Sequence, residues 1–472
     1  MTDATATELC YTPATELAGL IRAKKVSPVE LTRAVLARIE RLNPTLNAVC
    51  TLTAEQALAA AREAEDAVMR GRALGPLHGI PFTIKDLAFT KGVRTMSGSC
   101  IFAERVPDVD APFVRRLLEA GGVLLGKTTT PEFGWKAIGD SPLTGISRNP
   151  WNPGMTTGGS SAGAGAAAAA GLGPLHQGSD GAGSIRIPSG FCGIYGLKPS
   201  YGRVPMWPIS NNDYTSHVGP MTRTVGDAAL MLAVMAGPDA WDRTALDAAP
   251  DDYVGRLRTG VKGLRVAWSP DLGGLRVDPE VASVVEAAAR VFEELGCVVE
   301  EVKPGFADSH ELIRCLWSAH AAGSYAQHLP RWRERMDPGL VACIEDGLRY
   351  TARDYIEARG RKLASWDSVR PLFEKYALLL TPTTSVAAFP VGRLNPERWP
   401  QHAWDWLAWA SFSYPFNFTG QPAATVPAGM TPGGLPVGLQ LVGRLFADLT
   451  VLQASAAFEA ARPWAPRRPP LD

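Results

Sequence analysis

From residue 149 to residue 199 the chain is dominated by glycine, alanine and serine, and the nature of that stretch decides what the rest can fold into. Small residues at such density suit either a flexible solvated linker or a place where backbones pack closely. The linker reading fails on two counts. Residues 162–170 form a strong helix-forming run stopped at Gly171. Ile185, Ile187, Phe191, Ile194 and Leu197 then supply apolar anchors that a linker lacks. The stretch therefore reads as core, with serines set among glycines at its two turns.

The flanking chain reads as strands and helices in alternation. Ser27, Pro28 and Glu30 supply an N-cap, an N1 proline and a capping-box acid ahead of Leu31, Val35, Leu36 and Ile39, which predicts a helix. A second helix is expected over 53–69. Short apolar runs between glycines at 79–87 and 122–129 read as strands, separated by a helical pattern over 113–120. Residues 263–268, 278–295 and 297–302 make a strand, helix, strand unit. Residues from about 308 to 376 read mainly as helices, 378–380 as a strand, and 423–429 with 437–442 as a hairpin around Pro432-Gly433-Gly434. This pattern predicts the α/β class. Strand signals on both sides of the helical region predict one discontinuous domain over 1–472, with the region at about 308–376 shaping a substrate pocket.

Composition narrows the partners. Lys plus Arg and Asp plus Glu are 47 each, so no net field favours nucleic acid or an anionic membrane, and small uncharged substrates fit best. The seven cysteines contain no Cys-x-x-Cys pair, which argues against a zinc site and for a reducing cytoplasm. The N-terminal residues show no signal-peptide pattern, and no apolar run reaches membrane-spanning length.

Two patterns mislead if read alone. Gly121, Gly126, Lys127 and Thr128 have P-loop spacing, but Val123-Leu124-Leu125 and the nearby Pro131 make a buried strand ending in a turn the better reading. Gly159, Ser161 and Gly163 fit a nucleophile elbow, yet residues 149–153 are a poor strand, and His402 lies in a Trp-rich stretch with nothing obvious to present it.

A stronger signal comes from three segments together: Gly79-Ile80-Pro81-Phe82-Thr83-Ile84-Lys85-Asp86, Gly158-Gly159-Ser160-Ser161-Ala162-Gly163, and residues 178–188 with Asp180-Gly181-Ala182-Gly183-Ser184-Ile185-Arg186 at their centre. With Pro131-Glu132-Phe133, Gly420-Gln421-Pro422-Ala423 and Leu435-Pro436-Val437-Gly438, the chain closely resembles the amidase signature family over nearly its whole length. The resemblance implies an α/β/α sandwich around a large, mixed, twisted sheet. It implies Ser184 as nucleophile, Ser160 as a cis-peptide serine relaying protons, Lys85 as base, and backbone N–H groups from Gly181, Ala182 and Gly183 to Ser184 as oxyanion donors. One departure bears on the shape of the oxyanion loop: Ala182 stands where the family usually has glycine, and its methyl forgoes cheap access to positive φ.

These residues suit amide hydrolysis. A covalent intermediate splits the difficult step in two, but a serine hydroxyl needs a base. A lysine serves only if uncharged, which costs about 4.6 kcal/mol at pH 7 from a reference pKa of about 10.4. Burial shifts lysines by up to roughly 3–5 units, enough to meet that cost. The resulting ammonium can return a proton to the departing amine. The chemistry calls for no metal or organic cofactor. The expected activity is hydrolysis of a small carboxamide or substituted amide through a Ser184 acyl-enzyme, with a homo-oligomer possible and no nucleic-acid or membrane partner.

Each residue also has a plainer reading. Ile80, Phe82 and Ile84 share one strand face, leaving Lys85 with Thr83 on the other, where a lone lysine would ordinarily be exposed. Ser160 would serve as a helix cap and Ser184 as a turn serine. Asp180 and Arg186 are expected to form a structural ion pair. His78 and His176, lacking an acid to orient them, read as core or surface residues. Trp399, Trp404, Trp406 and Trp409 read as packing anchors in preference to a pocket lining. Two competing functions remain: the amidase (A) subunit of a tRNA-dependent amidotransferase, which resembles the chain in all three motifs but would carry glutamine where Ile187 follows Arg186, and a catalytically silent ligand-binding or partner-binding protein.

Overall fold

A computed structural model describes residues 3–471 except 211, 213, 214 and 306–308. Residue 308, where the helical region is expected to begin, lies outside the described residues. Eleven strands form one mixed sheet: β1 (Val49–Leu52), β2 (Pro81–Lys85), β3 (Val123–Thr128), β4 (Leu175–Asp180), β5 (Tyr195–Lys198), β6 (His217–Thr222), β7 (Arg265–Trp268), β8 (Val298–Glu301), β9 (Leu378–Pro382), β10 (Ala423–Met430) and β11 (Pro436–Gly443). Their spatial order is β1-β3-β2-β4-β6-β5-β10-β11-β9-β7-β8. β2 runs parallel to both β3 and β4, and β7 parallel to both β8 and β9, whereas the pairs linking these two groups are antiparallel. β9 follows the helical region yet pairs with β7, which precedes it, so chain from both sides of that region enters the same sheet.

The helices that matter below are α1 (Pro28–Leu46), α2 (Ala162–Ala169), α3 (Arg186–Cys192), α4 (Val225–Met235), α5 (Pro279–Glu294), α6 (Ser309–Tyr325), α7 (Pro338–Gly347), α8 (Ala352–Lys375) and α9 (Asp448–Ala461). They cover both faces of the sheet. Along β11, Leu439 and Leu441 join the core cluster that holds Val285 and Phe292 of α5 and Val451 and Phe458 of α9. The intervening residues point the other way: Gln440 accepts from Arg186 of α3, and Val442 packs with Phe412 and Phe416. A separate aromatic cluster lies with α6 and α7 and contains Trp399, Trp404, Trp406 and Trp409, all buried, as the packing reading of these tryptophans expects. No helix among the described residues is long and apolar enough to cross a membrane.

α1 begins as its sequence predicts, with the Ser27 hydroxyl accepting from the amides of Val29 and Glu30 at 3.0 and 3.2 Å. The capping box itself does not form: Glu30 is exposed, and the Ser27 hydroxyl donates instead to Glu65. Strands β1, β4, β5 and β6 and helices α3, α4 and α9 are not legible in the sequence as elements. β4 reads Leu-His-Gln-Gly-Ser-Asp and β6 carries Pro220, so neither shows apolar alternation; both lie inside the sheet, where side chains on either face are buried.

The small residues permit close approach. A β-carbon on Gly163 of α2 would lie 2.1 Å from the Ala48 carbonyl oxygen and 2.4 Å from the Thr129 nitrogen, both rigid backbone atoms. On Gly226 of α4 the nearest atom would be a Thr15 methyl at 3.7 Å, an ordinary contact. Gly163→Ala is expected to destabilise by about 3 kcal/mol, the upper end for overpacking, while Gly226→Ala stays within about 1 kcal/mol of wild type. Guanidinium unfolding midpoints at constant m compare the two directly.

Candidate active site

Lys85 ends β2 and is fully buried, on the face opposite Phe82 and Ile84. Its neighbour on that face, Thr83, is also buried and meets His176 Nδ1 at 2.8 Å, while His176 Nε2 lies 2.9 Å from the Gly173 carbonyl. His176 is thus a hydrogen-bonded core residue, its pKa lowered to about 4 by burial. His78, at 2.9 Å from the Ala64 carbonyl, is likewise structural.

The Lys85 amine is held by hydroxyls. Nζ lies 2.7 Å from Ser160 Oγ, 3.0 Å from Ser161 Oγ and 3.1 Å from Ser179 Oγ. Among the described residues no carboxylate makes an ion pair with it. Burial therefore dominates and brings its pKa from 10.5 down to about 7, with the negative charge of Asp180 opposing part of that fall.

Ser160 stands in the glycine-rich turn before α2, and the Gly159–Ser160 peptide is cis. The residue at the N-cap position of α2 is Ser161, and its side chain makes no capping bond. Capping is therefore not what Ser160 does. Ser161 instead clamps the turn before α2 to β4, donating to the Ser179 carbonyl at 3.1 Å and accepting from the Ser179 amide at 3.2 Å. It is a structural partner of Lys85, and the nucleophile-elbow pattern has no matching histidine: Nδ1 of His402 faces the amides of Trp404 and Asp405.

Ser184 lies on the turn between β4 and α3, where the Ser161 amide donates to its carbonyl at 3.1 Å. Ser184 and Ser160 line one cavity of about 200 Å³ together with Lys85. The Lys85–Ser160 contact is formed. The Ser184 hydroxyl makes no hydrogen bond to a described residue, so the structure brings it to the same cavity without joining it to Ser160.

The turn is shaped by Asp180 and Arg186, both completely buried. Arg186 donates from Nε and Nη2 to Asp180 at 3.0 and 2.9 Å, and its remaining donors reach the Ser413 carbonyl, Gln440 Oε1 and Asn417 Oδ1 at 2.6–2.7 Å. Burial alone would raise the Asp180 pKa, but the Arg186 charge and its hydrogen bonds outweigh it and hold the carboxyl well below the usual range. The pair is the structural one that the sequence suggests.

Asp180 also narrows the set of candidate oxyanion donors. It accepts from the Gly183 amide at 2.7 Å, so that N–H is committed within the loop. The amides of Gly181, Ala182 and Ser184 make no such bond among the described residues. The left-handed position is Gly183, φ +117, where a β-carbon would meet Ser413 Oγ at 2.4 Å. Ala182 does not have positive φ; its methyl is buried and its carbonyl accepts from Ser413 Oγ at 2.7 Å. The departure from glycine at Ala182 therefore leaves the loop intact.

Lys127 follows the strand reading. It is buried in β3 and bonded to the Ala88 carbonyl and Thr90 Oγ1 at 2.5 and 2.7 Å, with a pKa lowered to about 8 by burial. The cavity wall holds residues that the sequence reading did not place at the site: Phe133, Trp135, Trp207, and Trp317, His320 and Tyr325 of α6. The spacing of Trp317, His320 and Ala321, three and four apart, was the signal available for the α6 wall.

Residues 30–452 match the family model described as Amidase. An acylamidase of Rhodococcus erythropolis is 42% identical, the alignment covering 98% of each chain. The A subunit of the glutamyl-tRNA(Gln) amidotransferase of Moorella thermoacetica is 38% identical over 98% of this chain and 99% of its own. Among solved structures, a bacterial aryl acylamidase of the amidase signature family superposes with a TM-score of 0.90 at 31% identity over 97% of both chains. A 6-aminohexanoate cyclic dimer hydrolase gives 0.89 at 30%, over 98% and 99%.

Removing one partner of the Asp180–Arg186 pair leaves an uncompensated buried charge. Asp180→Asn is expected to lose about 3–5 kcal/mol of stability, measured by guanidinium unfolding.

Proposed function

For a chain that belongs to the amidase family, we propose hydrolysis of a neutral, substituted carboxamide through an acyl-enzyme on Ser184, with Ser160 as proton relay and Lys85 as base. Amide C–N hydrolysis is the activity of the family; the residue roles are our reading. The observation that carries it is the buried Lys85 amine, surrounded by serine hydroxyls and, among the described residues, without an ion pair.

In this reading Ser184 Oγ bonds to the amide carbon while its proton passes to Ser160 Oγ, whose own proton passes to Lys85 Nζ. The carbonyl oxygen gains the electron pair and takes hydrogen bonds from the amides of Gly181, Ala182 and Ser184, donors of a kind each worth about 2.7–4 kcal/mol in a transition state. As the carbonyl re-forms, the C–N bond breaks and the ammonium proton returns through Ser160 to the leaving nitrogen. Water then attacks the ester by the same proton route, releasing the acid and restoring Ser184. The gap between Ser160 and Ser184 is compatible with this, since catalytic hydrogen bonds are often open before substrate binds.

The cavity also bears on the substrate. Among its described lining residues there is no Asp, Glu or Arg, and the walls combine aromatic and apolar residues with neutral polar ones such as Gln177, Ser210, Asn212 and Ser216. Free glutamine, with an ammonium and a carboxylate to bury, would go uncompensated there, which favours an uncharged amide over the glutaminase half of an amidotransferase. The acylamidase and aryl acylamidase relatives are consistent with an acyl or aryl amide. We read the chain as one domain acting in the cytoplasm; all seven cysteines are free, which suits a reducing compartment.

Wild type is expected to hydrolyse neutral anilides or alkyl amides and to form a fluorophosphonate adduct, whereas Ser184→Ala forms neither adduct nor acyl-enzyme by intact-mass spectrometry. Glutaminase activity exceeding that on every neutral amide would overturn the substrate class. Because Lys85 must be uncharged and its pKa is lowered to about 7, kcat/KM should rise through an apparent pKa near 7 and level above it. Lys85→Arg, permanently charged, is expected to lose about 10²–10⁴-fold at every pH tested.

A further inference from the structure

Among the described residues two histidines have a ring nitrogen shut off from solvent with no partner, His217 at Nε2 and His320 at Nδ1, and of these two only His320 lines the cavity. His78, His176, His217, His310 and His402 each have a ring nitrogen bonded to, or facing, a polar partner within the protein. His320 has none among the described residues: its Nδ1 is shut off from solvent, while Nε2 is not and is the nitrogen that a molecule in the cavity can reach, the ring packing edge-on against Tyr325 with centroids 6.3 Å apart. A ring nitrogen open to a cavity and without a partner in the protein is free to bond what enters that cavity, and a polar group left unpaired there by a bulky occupant is costly.

Its position sets what that nitrogen can meet. His320 lines the same cavity as Ser184, and it sits three residues, about 4.5 Å of helix rise, beyond Trp317 on α6. Trp317 is fixed by its indole donating to the Trp135 carbonyl at 2.9 Å, and its ring is the near neighbour of the oxyanion loop: a β-carbon on Gly181 would lie 3.6 Å from it. One helical turn therefore separates His320 from a ring beside the reacting carbonyl, a span that a substrate ring can bridge. Burial lowers the His320 pKa to about 4, so near neutral pH the imidazole is uncharged and offers one N–H donor and one bare nitrogen. The partner that satisfies Nε2 in either tautomer is a hydroxyl, which both donates and accepts.

We infer that His320 is a specificity-determining residue of this amidase, hydrogen-bonding a neutral hydroxyl carried on the ring or chain of the substrate. This rests on the Ser184 reading of the cavity. An aromatic pocket alone would hold plain and hydroxylated rings alike, and the imidazole makes the hydroxylated one the better substrate.

The test compares kcat/KM within matched pairs: acetanilide with its three ring-hydroxylated isomers for the amine side, and benzamide with its three for the acyl side. Wild type is expected to prefer one hydroxylated isomer over its plain parent by about 2–12-fold, the range of one net hydrogen bond, expressed mainly in KM. In His320→Phe that ratio should fall to about 1, while His320→Gln, which can still donate and accept, keeps part of it. A wild type that turns over the panel without favouring any hydroxylated isomer, or a His320→Phe variant that retains the preference, overturns the inference. Fluorophosphonate labelling separates the two proposals: label on wild type and both variants keeps the Ser184 reading standing whatever the ratios show, and absence of label on wild type with no amide hydrolysed would overturn that reading instead.

Discussion

A lysine amine buried without an ion pair among the described residues is the constraint around which this molecule is built. Among the described residues nothing balances a charge on Nζ of Lys85 at close range, and the cost of burying that charge is what lowers its pKa to about 7. The amine still needs hydrogen-bond partners, and three serine hydroxyls supply them without adding charge. Three hydroxyls converge on one atom only if the main chain around them passes at close quarters, and glycine is what permits this. Gly134, at φ +72, would bring a β-carbon to 3.1 Å from Ser160 Oγ, and Gly178, if substituted, would meet Ser161 Oγ at 3.0 Å. The glycine-rich character of the central stretch is thus a packing requirement of the lysine socket.

The charge excluded from the lysine is concentrated one turn away. Asp180 and Arg186 bury full charges, but every Arg186 group has a partner, drawn in part from chain more than two hundred residues downstream at Ser413, Asn417 and Gln440. The pair sets the turn that carries Ser184, commits the Gly183 amide, and leaves the amides of Gly181, Ala182 and Ser184 without a partner among the described residues. The long-range bonds make that turn depend on β11 and on the segment before β10, so early and late parts of the chain meet at the cavity.

The remaining walls come from α6, Phe133 and Trp135, which frame an apolar space with little charge. Phe133 stacks on Tyr325 at 4.2 Å, joining the sheet side of the cavity to the helical side. In the proposed reading, reaction and selection are thereby carried by different parts of the chain: β2 and the serine turns hold the amine and the hydroxyls, while the helical region presents the aromatic rings and His320.

The sequence by itself determined the α/β class, most helices and strands β2, β3 and β7 to β11, because periodicity and glycine punctuation are local, and three short motifs gave Lys85, Ser160 and Ser184 as a candidate set through the family they resemble. It could not give β4, β5 and β6, whose burial on both faces erases alternation, nor the failure of Glu30 to close a capping box, since Ser27 found Glu65 instead. It named Gly183 as an oxyanion donor without the means to see Asp180 taking that amide. Only the tertiary structure decided that Lys85 is buried, which serine stands at the start of α2, and which aromatic residues line the cavity in place of the Trp-rich segment. Those outcomes depend on atoms distant in sequence competing for the same space and the same hydrogen bonds, and no local pattern records who wins.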